Sequence, residues 1–292
     1  MSETKKGYIY LLISGAFWGS AGMFLSFLSD RGLSAIEVAF FNLGSAALFL
    51  FVYNIATSGI SAFKIPKKAM LRLVFTGFVS EFLYDIAYIN AVEMIGVGPS
   101  AVLLYTSPIF ACIMAAICFK EKITLQKIAA IALNIVGCIL AVTGGNLGFG
   151  LLAPLGIMLG IAAGFLYACV TILGKYNTSE VDPGIVTFYN FFFGFCFMCL
   201  LARPWTFDKG IFNIPVIILG LLCGTFGAAI PYLFYMHGMK KPVEASRATV
   251  FASLEPVVAM VLGALVFEEH VNAISFLGVA VIVLSIAIMN RE

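Results

Sequence analysis

Three carboxylates lie inside long apolar runs of this 292-residue chain. Glu81 and Asp85 are four residues apart, so a helix would place them on one face about 6 Å from each other. Glu255 lies in a later run, directly before Pro256. Because an ionised acid deep in a membrane costs roughly 2.5 to 3.5 kcal/mol on insertion scales, such residues usually face a cavity or a partner. The three acids therefore predict a polar pocket, and each is a candidate proton carrier.

Aromatic and hydroxyl side chains in the same and other apolar runs could complete this pocket. Tyr84 and Tyr88 flank the acids on the same stretch. With the three acids and these two tyrosines, the residues predicted to bind a small amphipathic ligand are Ser14, Trp18, Tyr105, Tyr167 and Tyr232. Two alternatives stay open: Glu81 and Asp85 as a buried pair sharing one proton, and Glu255 as a hydrogen-bonding group at a helix contact.

The composition indicates an integral membrane protein. Hydrophobic residues make up 62% of the chain and charged residues 11%, whereas soluble domains hold about 25% charged residues. The net charge of +2 is too small to indicate a nucleic-acid partner. The seven cysteines fall within apolar runs, without the spacing of a disulfide framework or a metal site. The expected partners are therefore the lipid bilayer and a small molecule, with no metal and no cofactor.

Ten apolar runs are long enough to cross about 30 Å of hydrocarbon as helices. They cover residues 7 to 28, 35 to 57, 70 to 91, 98 to 119, 125 to 143, 153 to 174, 184 to 202, 213 to 236, 245 to 267 and 272 to 289. If the N-terminus lies inside, all but three of the 17 Lys and Arg residues fall on the inner side, the exceptions being Arg31, Arg203 and Lys209. Positive charge collects in the cytoplasm. Both termini of this multi-pass protein are therefore predicted to be cytoplasmic.

The chain repeats itself at a displacement of 148 residues. The pairs in register include Asn42 with Asn190, Tyr84 with Tyr232, Pro108 with Pro256, and Glu121 with Glu269. The predicted halves are residues 1–148 and 149–292, joined in one membrane domain. Five helices per half is an odd number, so the second half must enter the membrane inverted, which is typical of alternating-access transporters. The acids break this symmetry, because Glu81 is matched by Ala229 and Glu255 by Ser107.

Several short motifs carry a resemblance to a known family. They are FWGS at 17–20, YTSPIF at 105–110, FKEK at 119–122, SLEPVVAM at 253–260 and FEE at 267–269. With the five-plus-five arrangement, they resemble EamA-type members of the drug/metabolite transporter superfamily. The resemblance implies an all-α, ten-helix transporter of small organic metabolites, with a central cavity between the helices and with export as the commoner direction among relatives.

The leading functional hypothesis is a secondary transporter in the cytoplasmic membrane for an amino acid or related amphipathic metabolite, exporting it with proton coupling. The alternative is an importer or exchanger of cationic amines, held by acids and aromatic rings. Arg247 would favour an amino acid if it entered the cavity, but Glu244 three residues earlier predicts a local ion pair. Since no nucleophile, metal or phosphate motif is present, no enzyme is predicted. Monomer and homodimer are both left open.

Overall fold

The computed structural model describes residues 1–146, 153–268 and 271–290. All secondary-structure elements in these ranges are helices, and none is a strand. The predicted boundary between residues 148 and 149, and Glu269 of the second half, lie outside the described residues. The ten main helical segments, here labelled in chain order, are α1 Glu3–Ser29, α2 Ala35–Ser58, α3 67–95, α4 Val97–Phe119, α5 Leu125–Thr143, α6 Pro154–Thr178, α7 Pro183–Ala202, α8 Ile214–Lys240, α9 Ala245–Val266 and α10 Ala273–Met289.

The protein is a multi-pass membrane protein. Within the described ranges, eight of the ten segments are long and apolar enough to cross a membrane, and α10 is a shorter apolar helix. The remaining segment, α3, is not among the eight, and it contains Glu81 and Asp85. The predicted count of ten spans and the cytoplasmic placement of both termini therefore stay predictions.

Side chains at the helix starts explain where several segments begin. Ser34 caps α2 by accepting a hydrogen bond from the Glu37 amide, and the Glu37 carboxylate accepts one from the Ser34 amide at 2.7 Å. Such reciprocal bonds satisfy two free amides of the first turn. Thr124 and Asn272 cap α5 and α10 more simply, since each side chain accepts a hydrogen bond from the amide three residues later. These two residues are 148 positions apart, so one local signal begins the last helix of each half.

Two helices are interrupted next to a proline. In α4, the first part ends at Leu104 and the second begins at Ser107, with Pro108 in its first turn. In α9, the first part ends at Ala252 and the second begins at Glu255, followed by Pro256. Proline lacks an N–H and suits a helix start, where that group has no partner anyway. Each proline therefore lies in the first turn of a new helix.

Two further segments widen into π-helical turns. Phe78–Leu83 widens α3 and Cys223–Ala229 widens α8. The two turns overlap when the chain is displaced by 148 residues. Such turns are rare and frequently occur at functional sites. In α3, the turn contains Glu81 and directly precedes Tyr84 and Asp85, so it helps set the direction of these side chains.

The halves pack against each other in an exchangeable pattern. Helix α1 packs on α8 while α6 packs on α3, and α2 packs on α7 while α5 packs on α10. Glycines allow the backbones to meet: a Cβ at Gly278 would lie 2.3 Å from the Ala141 amide nitrogen. Small residues permit such close helix approaches in membranes. Because each half is packed mainly by helices of the other, the space between them is a shared site.

Candidate functional site

A cavity of about 520 Å³ lies between the two halves. Most of its wall is formed by α1, α2, α3 and α8, and one or two residues each come from α4, α6, α7 and α9, the last of these being Glu255. At one end it reaches the exposed residues Ala35, Glu93 and Val97, beside the α1–α2 and α3–α4 connections. We call this end, at residues 29–35 and 93–97, the mouth end. No residue from the connections at the opposite end of the bundle lines the cavity in the described chain.

The two acids of α3 both face this cavity. Glu81 is only 3% exposed, because its Cβ lies against α7, where a Cβ at Gly194 would come within 2.5 Å of it. Asp85 lies one turn further toward the mouth end. Glu81 Oε1 and Asp85 Oδ2 are buried and have no hydrogen-bond partner among the described residues. A buried polar atom without a partner is costly. The two carboxylates are therefore prepared for a ligand or a proton.

Aromatic rings surround the acids. Trp18 ends the first part of α1, at the break before Ala21, and its ring centre lies 5.1 Å from that of Tyr232 and 5.9 Å from that of Tyr167. Tyr167 in turn lies 5.8 Å from Tyr84, which stacks on Tyr88 at 6.0 Å. Aromatic faces beside carboxylates are the two elements that hold an organic cation.

Eight of the ten residues predicted from the sequence line the cavity. They are Trp18, Glu81, Tyr84, Asp85, Tyr88, Tyr167, Tyr232 and Glu255. Ser14 and Tyr105 do not line it. Ser14 is fully buried one turn before Trp18, in the part of α1 that packs tightly on α9, where a Cβ at Gly15 would meet the Ala252 carbonyl oxygen at 2.2 Å.

Tyr105 instead lines a second, much smaller cavity of about 10 Å³ between the breaks of α4 and α9. Glu255 and Tyr167 line both cavities. Asn134 donates hydrogen bonds to Ser253 Oγ at 2.5 Å and to Ser285 Oγ at 3.1 Å nearby. The space is about that of a single water molecule. Tyr105 therefore shares the second cavity with Glu255 and does not line the main cavity.

Sequence reasoning missed some residues of the main cavity. Asn42 of α2 and Phe191 of α7 line it, and Glu93 lines it near the mouth end. The repeat gave one usable signal, since Asn42 and Asn190 are polar residues in register within apolar runs. Phe191 is one phenylalanine among 28 and carries no such signal. Its place, with its ring 4.8 Å from that of Tyr232, is set by the packing of α7 on α8.

The charges in the wall all have one sign. Glu81, Asp85, Glu93 and Glu255 line the cavity, and no Lys, Arg or His of the described ranges does. Arg247 lies at the opposite end, where Nε donates to Glu244 and Nη1 donates to the Met289 carbonyl at 2.9 Å. The predicted Glu244–Arg247 ion pair is confirmed. The arrangement can therefore attract a positive group, but it offers no cationic side chain to a substrate carboxylate.

Comparisons with known proteins agree with this architecture. The sequence model of the EamA-like transporter family matches this chain twice, at residues 5–143 and at residues 154–291. An "Uncharacterized transporter" of Archaeoglobus fulgidus is 26% identical over 289 residues, covering 99% of this chain and 97% of its own. The "Uncharacterized inner membrane transporter YicL" of Salmonella typhimurium is 22% identical over 303 residues, which cover 100% of this chain and 97% of that protein. A crystal structure at 16% identity superimposes with a TM-score of 0.81 over 99% of this chain and 96% of its own, which shows the fold.

Proposed function

The chain belongs to the EamA-like transporter family, and on this premise we propose that it moves a small, positively charged organic metabolite through the central cavity by alternating access. The observation that carries the proposal is the cavity wall, which combines four carboxylates with a group of aromatic rings. Among the described residues, the cavity reaches one end of the bundle and not the other, as one of the two states of such a cycle requires. The two family matches and the exchangeable helix contacts support two related halves, 1–148 and 149–292, that swap conformations.

The orientation of the protein in the membrane is proposed from the distribution of its positive charges. The predicted inner loops hold all but three of the 17 Lys and Arg residues, so we place both termini in the cytoplasm. The mouth end then faces outward. A cavity open outward with buried acids suits an exporter that releases its substrate and takes up protons before returning. Export from the cell across the cytoplasmic membrane is therefore the proposed direction.

The sign of the wall charge narrows the substrate. An amino acid would bring an ammonium group that the acids can hold, but among the described residues its carboxylate would meet further acids and neutral donors, and no cationic side chain. Arg247, the side chain that could have paired with it, is occupied at the other end of the bundle. An amine without a carboxylate has no negatively charged group that would need a partner in the cavity. We therefore place cationic amines ahead of amino acids, which remain the second candidate.

Proton coupling follows from the same acids. Two carboxylates four residues apart on one helix resist being ionised together, since like charges in a poorly solvated site favour retention of a proton. A cationic substrate and a proton would then compete for Glu81 and Asp85. Competition of this kind lets proton entry from one side drive release of the cation, and it requires no further binding site.

The substrate class can be tested with the protein's own fluorescence. Only two tryptophans are present: Trp18 in the cavity wall and Trp205, which is 73% exposed. In the Trp205→Phe variant, Trp18 alone reports on the cavity. We expect tetraethylammonium or phenethylamine to change its emission with at least tenfold tighter binding than phenylalanine, the matched compound that adds a carboxylate. Phenylpropionate, which carries only the carboxylate, should give no saturable change.

A Trp18→Phe variant, in which only the exposed tryptophan remains, serves as the control and should show no response to any of these compounds. Tighter binding of phenylalanine than of phenethylamine would favour the amino acid candidate. Saturable binding of phenylpropionate alone would contradict the cation proposal.

A further inference from the structure

Five charged side chains form one cluster at the end of the bundle opposite the mouth end. We call this cluster the latch; its members are Glu121, Lys127, Lys175, Glu244 and Arg247. Glu121 and Lys127 belong to the first half and the other three to the second. Two of its four ion pairs, Lys127–Glu244 and Lys175–Glu121, join the two halves at the end where the main cavity has no opening.

Glu121 is the centre of the latch. Its carboxylate is 9% exposed and accepts hydrogen bonds from the Ala245 amide at 2.7 Å, the Ser246 amide at 3.0 Å and the Ser246 hydroxyl at 2.5 Å. A carboxylate is favourably placed at free amides of a helix N-terminus. Lys175 Nζ lies 3.7 Å from the same carboxylate. The loop after α4 is thereby attached to the first turn of α9.

The other members extend this attachment. Lys127, whose side chain is 3% exposed, lies 3.0 Å from Glu244 and 4.0 Å from Glu121. Arg247 binds Glu244 from the other side. Burial raises the pKa of the Glu244 carboxyl, but the hydrogen bonds and charges of Lys127 and Arg247 lower it further, so that it stays below its ordinary value. Lys175 also donates to the Val243 carbonyl. All five charges therefore have partners within the latch.

Tight packing accompanies the latch. A Cβ at Gly7 would lie 2.5 Å from a Val243 side-chain carbon, and a Cβ at Gly15 would overlap the Ala252 carbonyl. In the second part of α1, by contrast, a Cβ at Gly22 would have no atom within 4 Å. The first part of α1 is thus closed against α8 and α9, while its second part borders open space.

The repeat provides no charged copy of the latch at the mouth end. A displacement of 148 residues places Ser275 at the position of Lys127, Phe27 at that of Lys175, Gly96 at that of Glu244 and Pro99 at that of Arg247. Glu121 does have an acidic counterpart, Glu269, which lies outside the described residues. Ion pairs between the halves at these positions are therefore a property of one end, as expected of a device that stabilises one state.

We propose that the latch is the gate of this end: it holds the halves together while the mouth end is open, and its ion pairs must separate before the cavity can open here. This inference rests on the proposed alternating-access function. Because the partners of each charge come from the opposite half or from a neighbouring element, rocking of the halves would break the Glu121 and Lys127 contacts together. The side chains would then become solvated at the surface, where unpaired charges are tolerated.

The first test measures how readily this end opens, without any substrate. Cys112 is 5% exposed on α4, between two and three turns before Glu121. In a variant that keeps Cys112 and replaces the other six cysteines, we expect slow modification by a charged methanethiosulfonate reagent. Adding Glu121→Gln should raise the modification rate at least tenfold, because the amide cannot balance Lys127 and Lys175.

The matched control is Glu180→Gln. Glu180 pairs with Arg72 at 2.5 Å at the same end of the bundle, but its side chain is 55% exposed, and surface pairs contribute little. Its rate should stay within about twofold of the Cys112-only parent. An unchanged rate in Glu121→Gln, with retained folding by size-exclusion chromatography, would overturn the proposal.

A second variant covers the case in which Glu121→Gln does not fold. Glu121→Cys with Ser246→Cys, in a background without the native cysteines, can be joined by a short bis-methanethiosulfonate. The joined protein should still bind tetraethylammonium at Trp18 but lose at least 90% of its transport in proteoliposomes, and reduction should restore transport. Transport that continues while the residues are joined would contradict the gate. If the reduced protein binds the probe but transports nothing, the proposed function fails; the gate is then judged by the labelling rate wherever Glu121→Gln does fold.

Discussion

Replacing Glu81 with Gln, or Asp85 with Asn, is expected to reduce transport of a cationic substrate by about 30-fold or more. Both carboxylates face the main cavity, and each has a buried oxygen without a hydrogen-bond partner. A charged interaction lost from a poorly solvated site costs roughly 2 to 5 kcal/mol, which corresponds to a factor of about 30 or more in binding. The amides keep the size of the side chains, so the change reports on charge.

The measurement is uptake of radiolabelled tetraethylammonium into proteoliposomes with and without a pH gradient. The native protein should respond to the gradient, and the Glu81→Gln and Asp85→Asn variants should not. Asp30→Asn is the matched control, since Asp30 is an exposed acid near the mouth end that does not line the cavity; its rate should stay within about threefold. Native rates and native pH dependence in Glu81→Gln, Asp85→Asn and Glu255→Gln alike would rule out the proposed role of the acids.

Gly15→Val is expected to prevent the native packing of α1. The added Cβ would overlap the backbone of Ala252, with 2.2 Å to its oxygen and 2.8 Å to its carbonyl carbon. Backbone atoms cannot turn aside as a side chain can, so the helices must separate. Overpacking of this kind costs about 1 to 3 kcal/mol and occasionally more. We expect the melting temperature of the purified protein to fall by about 10 °C or more, or folded protein to be lost.

Gly22→Val is the control on the same helix. A Cβ at Gly22 meets no atom within 4 Å, and the residue lines the main cavity. Its melting temperature should stay within about 3 °C of the native value, while the Trp18 response to tetraethylammonium weakens because the cavity is narrowed. Both melting temperatures are measured by thermal unfolding in detergent. Equal losses of stability in the two variants would show that the tight contact at Gly15 does not distinguish the two ends of α1.

The candidate site could largely be predicted because acids in apolar runs are expensive and hence informative. Glu81, Asp85 and Glu255 stand out from the sequence for this reason, and all three line the cavity. Ser14 could not be assigned in the same way, since a serine is inexpensive in a membrane helix and its direction depends on how α1 packs on α9. Tyr105 lies beside a helix break, and the small second cavity there was not evident from spacing alone.

The latch was beyond sequence reasoning for a different reason. In the sequence, Glu121 stands out only by its register with Glu269, and Lys127 and Lys175 count only as positive charges on the predicted inner side. The structure instead brings Lys127 to Glu244, 117 residues along the chain, and Lys175 to Glu121. Such pairs depend on how the ends of four helices meet. The 148-residue displacement could have drawn attention to them, because it shows which charges have no counterpart.

One difference between the halves has a consequence for kinetics. Helix α1 is interrupted after Trp18, whereas α6, its repeat partner, runs unbroken from Pro154 to Thr178. The partner segment of α6 therefore has no such break, and the two end states of the proposed alternating-access cycle are not mirror images. We expect the half-saturation concentrations on the two faces to be unequal, so that counterflow measured in opposite directions differs accordingly.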